Sequence, residues 1–487
     1  MTMMDAIRSS STMIFSLIVI SSTIFAVSAN SGVFSVKYRY AGRERSLSDL
    51  KAHDDRRQLR ILAGVDLPLG GSGRPDGVGL YYAKIGIGTP PKDYYVQVDT
   101  GSDIMWVNCI QCKDCPRTST LGMDLTLYDI KDSITGKLVP CDHEFCYEIS
   151  EVPLNGCIAN KSCTYLEIYG DGSSTAGYFV EDVVQYDRVS GDLQTTSANE
   201  SVIFGCGARQ SGDLGSTNEE ALDGILGLGK SNSSMISQLA STGKVKKIFA
   251  HCLDGINGGG IFAIGHVVQP TVNMTPLIPN EPHYNVNMSA VQVGGDFLHL
   301  PTGVFEAGDR KGAIIDSGTT LAYLPEVVYD PLISKIFSQQ PDLKVHTVHD
   351  EYTCFHYSGS VDEGFPNVTF HFENSVVLKV HPHEYLFPFE GLWCIGWQNS
   401  GMQSRDRRNM TLLGDLVLSN KLVLYDLERQ AIGWTEYNCS SSIKVQDERT
   451  GTVHLVGSHS IPSACSLNAQ WSIILLLIST LLHILVY

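Results

Sequence analysis

"YVQVDTGSDIMWV" at residues 95–107 and "GAIIDSGTTLAYL" at residues 312–324 are one pattern written twice. In each, a short apolar run of strand character leads into Asp, a hydroxyl residue, Gly and a second hydroxyl residue. A further pair follows downstream, "DGILGLG" at 223–229 and "TLLGDLV" at 411–417. Both members carry two bulky apolar residues before a glycine: Ile225-Leu226-Gly227 and Leu412-Leu413-Gly414. A duplicated pattern of this kind predicts two related structural halves. It also disposes of a competing motif. Gly224 to Ser231 fits G-x-x-x-x-G-K-[ST], the phosphate-cradling loop of nucleotide hydrolases. Such a loop should follow a buried parallel strand, whereas "SGDLGSTNEEALD" precedes this one. Lys230 is therefore read as incidental, and no nucleotide is expected.

The whole chain sets the compartment. Residues 13–27 form an apolar run behind Arg8, with small residues up to Ala29, so 1–29 reads as a secretory signal peptide. N-x-[ST] sequons follow at Asn160, Asn199, Asn232, Asn273, Asn287, Asn367, Asn409 and Asn438, as expected of an extracellular glycoprotein. The 487 residues, 43% hydrophobic, suffice for a large core in two lobes. A formal charge of −17 argues against nucleic acid as a partner and suits an acidic setting that neutralises part of it.

Thirteen cysteines in a secreted chain imply disulfides. Cys109, Cys112, Cys115, Cys141, Cys146, Cys157 and Cys163 crowd one segment, where C-x-x-C-x-x-C mimics a metal site; bridges are the better reading in an oxidising compartment. Cys354 with Cys394 is the one pairing selected. If it forms, parity sends at least one crowded cysteine to a partner outside the segment. The histidines between His346 and His383, including "HPH" at 381–383, follow no ligand spacing, so no metal and no cofactor are expected.

Composition divides the chain further. Residues 30–75 are rich in Lys and Arg, place Leu47, Leu50, Leu59 and Leu62 near helical spacing, and run into "GGSGRPDG" at 70–77, which reads as a cleavable joint. A basic arm on an acidic body predicts a propeptide. Short β-branched and aromatic runs broken by Gly, Pro, Asp and Asn then continue to Asn438, with helices expected only around 234–241 and 326–339. The halves are set at 78–275 and 276–440, followed by a polar stalk at 441–466. Residues 467–487 end in the apolar "WSIILLLISTLLHILVY" with no cationic stop, the pattern of a GPI signal whose tail is removed. Ser463 is the first choice for attachment within 458–466.

The paired Asp-[Thr/Ser]-Gly-[Ser/Thr] motifs and the apolar-Gly strands behind them resemble the pepsin-like aspartic proteases over roughly residues 78–440. The resemblance implies a mainly β, bilobal fold with an active-site cleft between two related lobes. It implies Asp99 and Asp316 as a catalytic pair that activates water at acidic pH, with Gly101 and Gly318 permitting tight turns. Thr100 and Ser317 would bond across to the opposite loop, and Ser102 and Thr319 would bond the outer carboxylate oxygens. "EIYGDGSSTAGYFVEDVV" at 167–184 matches the flap, with Tyr169 closing over substrate, Trp106 bonding it, and Gly172 and Ser173 offering amides to an extended peptide. The cysteine-rich insert, "FGCG" at 204–207 and the GPI-type tail resemble nucellin-like plant members. The expected protein is a monomeric endopeptidase acting on peptides or proteins at the outer face of the plasma membrane. A non-catalytic binding protein on the same fold is the main rival. A glycosidase is the other, but it would hold its carboxylates roughly 5 Å apart or wider.

Overall fold

The computed structural model describes residues 64–461 except 76–78, 151–156, 158–160, 218–219, 306–311, 350–351, 403–409 and 449. The signal, most of the basic arm, the apolar tail and Ser463 lie outside the described residues. So do Asn160 and Asn409. Among the described residues no helix is long and apolar enough to cross a membrane.

The fold is mainly β and bilobal, and its organising unit occurs twice. In the first half, the strand Gly224–Gly227 lies between Lys92–Asp99, to which it is parallel, and Met105–Lys113, to which it is antiparallel. In the second, Thr411–Leu413 lies between Ala313–Ile315, parallel, and Ala322–Leu324, antiparallel. Gly227 stands opposite Asp99, and Leu413 stands opposite Ile315, one residue before Asp316. The central strands need their glycines for room. A Cβ at Gly227 would come within 2.5 Å of Asp103 backbone, and one at Gly414 would collide with the carbonyls of Thr319 and Leu321.

This arrangement explains why the phosphate-loop pattern holds no phosphate. The amides of Leu228 and Gly229 donate to the carbonyls of Asp99 and Ser102 at 2.8 Å. The amide of Ser231 donates to Asp103 Oδ1 at 2.9 Å, and Lys230 Nζ reaches the Glu281 carbonyl at 2.9 Å. The donors that would cradle an anion are turned into the protein instead.

One large sheet joins the halves. Lys421–Asp426 pairs with Ile248–Leu253, so a strand from each half shares a ladder. The division at 275/276 falls inside the strand Asn273–Pro276, which pairs with Ala431–Glu436. Helices form at Met235–Ser241, capped by Ser234, and at Glu326–Phe337, which buries Val328, Leu332 and Ile336; among the described residues Glu144–Ser150 and three four-residue helices accompany them.

The two ends of the described chain depart from the sequence reading. Residues 64–75, assigned to the arm and its joint, belong to the body. Val65–Asp66 is inserted between Ser174–Gly191 and Gly260–Ile264, and Leu69–Ser72 pairs with Leu80–Ile87. Val65, Leu67 and Leu69 are fully buried. The polar stalk is also folded as far as it is described: Ser442–Gln446 and Val453–Gly457 form a hairpin on the strand His266–Gln269, burying Ile443, Val445 and Val456.

All twelve described cysteines are bridged. Cys354 and Cys394 stand directly opposite on paired strands. Cys109 leaves the crowded segment for Cys206, while Cys112–Cys115, Cys141–Cys157 and Cys146–Cys163 stay within it; Cys252–Cys439 is the sixth. Of the sequons, Asn199, Asn232, Asn273, Asn287 and Asn438 are exposed, and Asn367 is half-buried.

The N-terminal strands give a direct test. Full burial of each of Val65, Leu67 and Leu69 is worth roughly 1.5–3 kcal/mol. A chain beginning at Gly79 should therefore unfold at a temperature several degrees below one beginning at Gly64. Thermal unfolding of the two checks this, and equal midpoints would contradict it.

Candidate active site

Asp99 ends one strand and Asp316 follows another, so the twin motifs deliver their carboxyl groups to a common seam. Both are buried, 5% and 7% exposed. Each is held by its own loop in the same way. Gly101 N–H donates to Asp99 Oδ1 at 2.8 Å, and Gly318 N–H donates to Asp316 Oδ1 at 2.8 Å. Ser102 Oγ donates to Asp99 Oδ2, and Thr319 Oγ1 donates to Asp316 Oδ2 at 2.7 Å. A Cβ at Gly318 would stand 2.0 Å from Asp99 Oδ1 and 3.2 Å from Asp316 Oδ1, which sets the two carboxyl groups side by side.

Carboxylates in contact and out of water cannot both ionise, as is known for aspartic proteases in general. Burial and the adjacent Asp316 push Asp99 up to about 7, against the opposing bonds from Ser102 and Gly101.

Thr100 and Ser317 tie the loops together. Ser317 N–H donates to Thr100 Oγ1 at 2.9 Å, and Ser317 Oγ donates to the Val98 carbonyl at 3.3 Å. The glycines serve a purpose other than the expected one. Neither Gly101 nor Gly318 has a positive φ. A Cβ at Gly101 would stand 2.7 Å from the Asp316 oxygens, and one at Gly318 would collide with the Asp99 carboxylate. The small residue is required by the opposite lobe, not by its own turn.

The flap hairpin joins Thr164–Ile168 to Ser174–Gly191. Trp106 Nε1 donates to the Tyr169 hydroxyl at 2.7 Å, inside a cluster built on Trp106, Tyr165, Phe179 and Ile225. The turn differs from expectation. Gly172 N–H is spent on the Tyr169 carbonyl at 3.1 Å, and Ser173 N–H on Asp171 Oδ1 at 2.9 Å. Neither amide faces a substrate free-handed; a peptide has to displace these bonds.

Several residues escaped the sequence reading. Asp415, directly after Gly414, is buried with Oδ1 unpartnered, and its pKa is raised well above the usual range by burial, then by Asp316 and Asp99. Its counterpart in the first copy is Leu228, so the repeat gave no hint of an acid. Beneath the seam, Tyr425 stacks on Phe249 at 4.4 Å and hydrogen-bonds His251 Nε2 at 3.0 Å. Burial drops His251 to about 3, which keeps that imidazole neutral. Glu167 lies on the inward face of the flap strand with Tyr165 and Tyr169, while Leu166 and Ile168 point outward. Period-2 alternation carried that signal, but the apolar residues occupy the solvent side.

Comparison with known proteins agrees with this geometry. Residues 81–266 match the family model described as xylanase inhibitor N-terminal, and residues 283–436 match xylanase inhibitor C-terminal. Aspartic proteinase 36 of Arabidopsis thaliana is 50% identical over 444 residues, 91% of each chain. Aspartic proteinase 39 of the same plant is 49% identical over 433 residues, 89% of this chain and 90% of that one. The solved structure of edgp superposes with a TM-score of 0.62 at 18% identity, over 78% of this chain and 95% of that one. The fold and these relatives define the pepsin-type aspartic proteinase family as the class of this chain. The chain belongs to the xylanase-inhibitor-like branch of that family.

The raised acids fix the sign of a pH effect. Asp223 is likewise pushed up to about 7 by burial, although it accepts from the amides of Tyr95 at 2.8 Å and Thr126 at 2.6 Å. With an ordinary value of 3.8, the folded state between pH 3.8 and about 7 holds protons that the unfolded chain releases. Stability should fall as pH rises through that window. Thermal midpoints measured from about pH 4 to about pH 7 test this, and Asp99→Asn should flatten the slope.

Proposed function

We propose that the protein is an aspartic endopeptidase that hydrolyses peptide bonds at acidic pH. The mirrored frame around the adjacent carboxyl groups of Asp99 and Asp316 carries this reading. One proton shared by the pair leaves one partner ionised to take a proton from water. The other, protonated, hydrogen-bonds the scissile carbonyl. Water then attacks carbon, and the proton held on the pair passes to the leaving nitrogen. Tyr169 and Trp106 form the lid side of the same cleft. The reaction asks for no cofactor.

The names of the matching family models favour a second reading, in which the chain binds proteins without cleaving them. That role makes no use of a shared proton, yet both carboxylates here keep their full set of donors. The enzyme reading accounts for more of the site.

Asp99→Asn and Asp316→Asn should each lower cleavage of a peptide library on the order of 10²–10⁴-fold, the usual range for a lost acid–base group. Wild-type activity should decline as pH rises through about 7, where the shared proton leaves. Undiminished cleavage by either folded variant would leave the binding role standing.

The proposed setting is the outer face of the plasma membrane, reached through the signal at 1–29 and held by a GPI anchor near Ser463, as in the nucellin-like plant subgroup. The support is the uncharged apolar end of the sequence. The arm ahead of Gly64 is proposed as the inhibitory propeptide. A phosphatidylinositol-specific phospholipase should release protein lacking residues 471–487 from intact cells. Retention, with peptides from Trp471–Tyr487 recovered from the membrane, would instead identify a spanning anchor.

A further inference from the structure

The segment after Cys439 is fixed at its start by the bridge to Cys252. Beyond that point, three histidine–carboxylate contacts attach it to the body. His266 Nδ1 lies 3.2 Å from Glu448, His454 Nδ1 lies 3.9 Å from Asp192, and His459 Nε2 lies 2.9 Å from both oxygens of Asp66. The hairpin itself is secured by Ile443, Val445 and Val456. The last described residues are secured differently. His459 exchanges backbone bonds with Gly260 at 2.7 and 2.8 Å, and Ile461 N–H donates to the Leu69 carbonyl at 2.9 Å. Residues 458–461 thus cross the inserted strands at 65–72, with one ionisable lock.

We propose that residues 458–461 are a proton-dependent strap over the N-terminal strands, fastened at low pH by His459 and Asp66 and loosened as pH rises. Asp66 is 5% exposed, so its carboxylate depends on a cation close by. The charged groups facing the lock are few. Asp66 comes from the inserted strand and Asp187 from the long hairpin strand, with Lys84 acting on Asp187; Gly260 contributes backbone only. Glu448 is shared between His266 and Lys246, and Asp192 also accepts from the Leu455 amide at 3.0 Å, so those two contacts have other support.

The sign follows from the pair. The hydrogen bond to Asp66 raises His459 above its ordinary 6.5, burial opposes this, and the charges of Asp66 and Asp187 add to it. The contribution is complete below about 6.5 and is lost as pH climbs through the raised value. Loss leaves two carboxylates, Asp66 and Asp187, on adjacent strands without the imidazolium between them and solvent. The strap then opens while the disulfide and the apolar hairpin stay in place.

Amide hydrogen exchange on the secreted protein, corrected for intrinsic rates, tests this without reference to proteolysis. Amides of Gly260, His459 and Ile461 report on the strap; those of Ala250 and Cys252 serve as the reference for global stability. Between about pH 5 and about pH 8.5, strap protection relative to the reference should fall roughly threefold or more in the wild type. His459→Lys, cationic at both values, should stay protected at both. His459→Gln should be poorly protected at both. Unchanged wild-type protection, or a wild-type-sized fall in His459→Lys, would overturn the proposal even if His459→Gln does not fold.

Discussion

Two acids pressed together away from water are an unfavourable arrangement, and most of the surrounding structure serves to maintain it. Asp99 and Asp316 repel one another unless a proton lies between them. Their loops are therefore braced on each side by a backbone amide and a hydroxyl. They are bound to each other through Thr100 and Ser317, and they come together only because glycines replace side chains at 101 and 318. The central strands at 224–227 and 411–413 hold each loop from behind. Remove any layer and the pair would relax toward a separation at which both groups ionise independently.

The symmetry is one of frame and not of environment. Behind the Asp316 loop stands a buried acid, Asp415, where the first copy has Leu228. An aromatic floor of Phe249, Tyr425 and Tyr284 lies beneath, with Tyr284 donating to the Leu228 carbonyl at 2.6 Å. Burial pushes His251 down and, together with Asp316 and Asp99, pushes Asp415 up, so both side chains favour their uncharged forms.

Much of this was legible because it is local. A strand, a turn and two hydroxyls fit within six residues, and writing them twice announces the bilobal fold. The apolar-Gly pairs were equally readable, since burial imposes bulk and close approach imposes glycine. What could not be read depends on distant partners. The "GGSG" at 70–73 looks like a hinge, yet neighbouring strands supply the ladder that makes Leu69–Ser72 a strand. "SSIKVQDERTGTVHLVG" at 441–457 looks like a stalk because only Ile443, Val445 and Val456 are fully buried, too few to stand out among the polar residues. The reason for glycine at 101 and 318 lies more than 200 positions away in the chain, where a local reading finds only a turn. The flap amides were assigned to a ligand because side chains such as Asp171, which claim them first, are indistinguishable in sequence from exposed ones.

The strand at 65–66 and the run at 458–461 have a consequence of another kind. Gly70 bridges Ile461, and Asp66 meets His459, so the opening run at 65–72 and the closing run at 458–461 lie side by side. Although linear in covalent terms, the body is closed in space into a ring of two repeats. Neither half is first or last around that ring. Loosening the closing run therefore frees backbone groups of the opening one, because the Ile461 amide is spent on the Leu69 carbonyl.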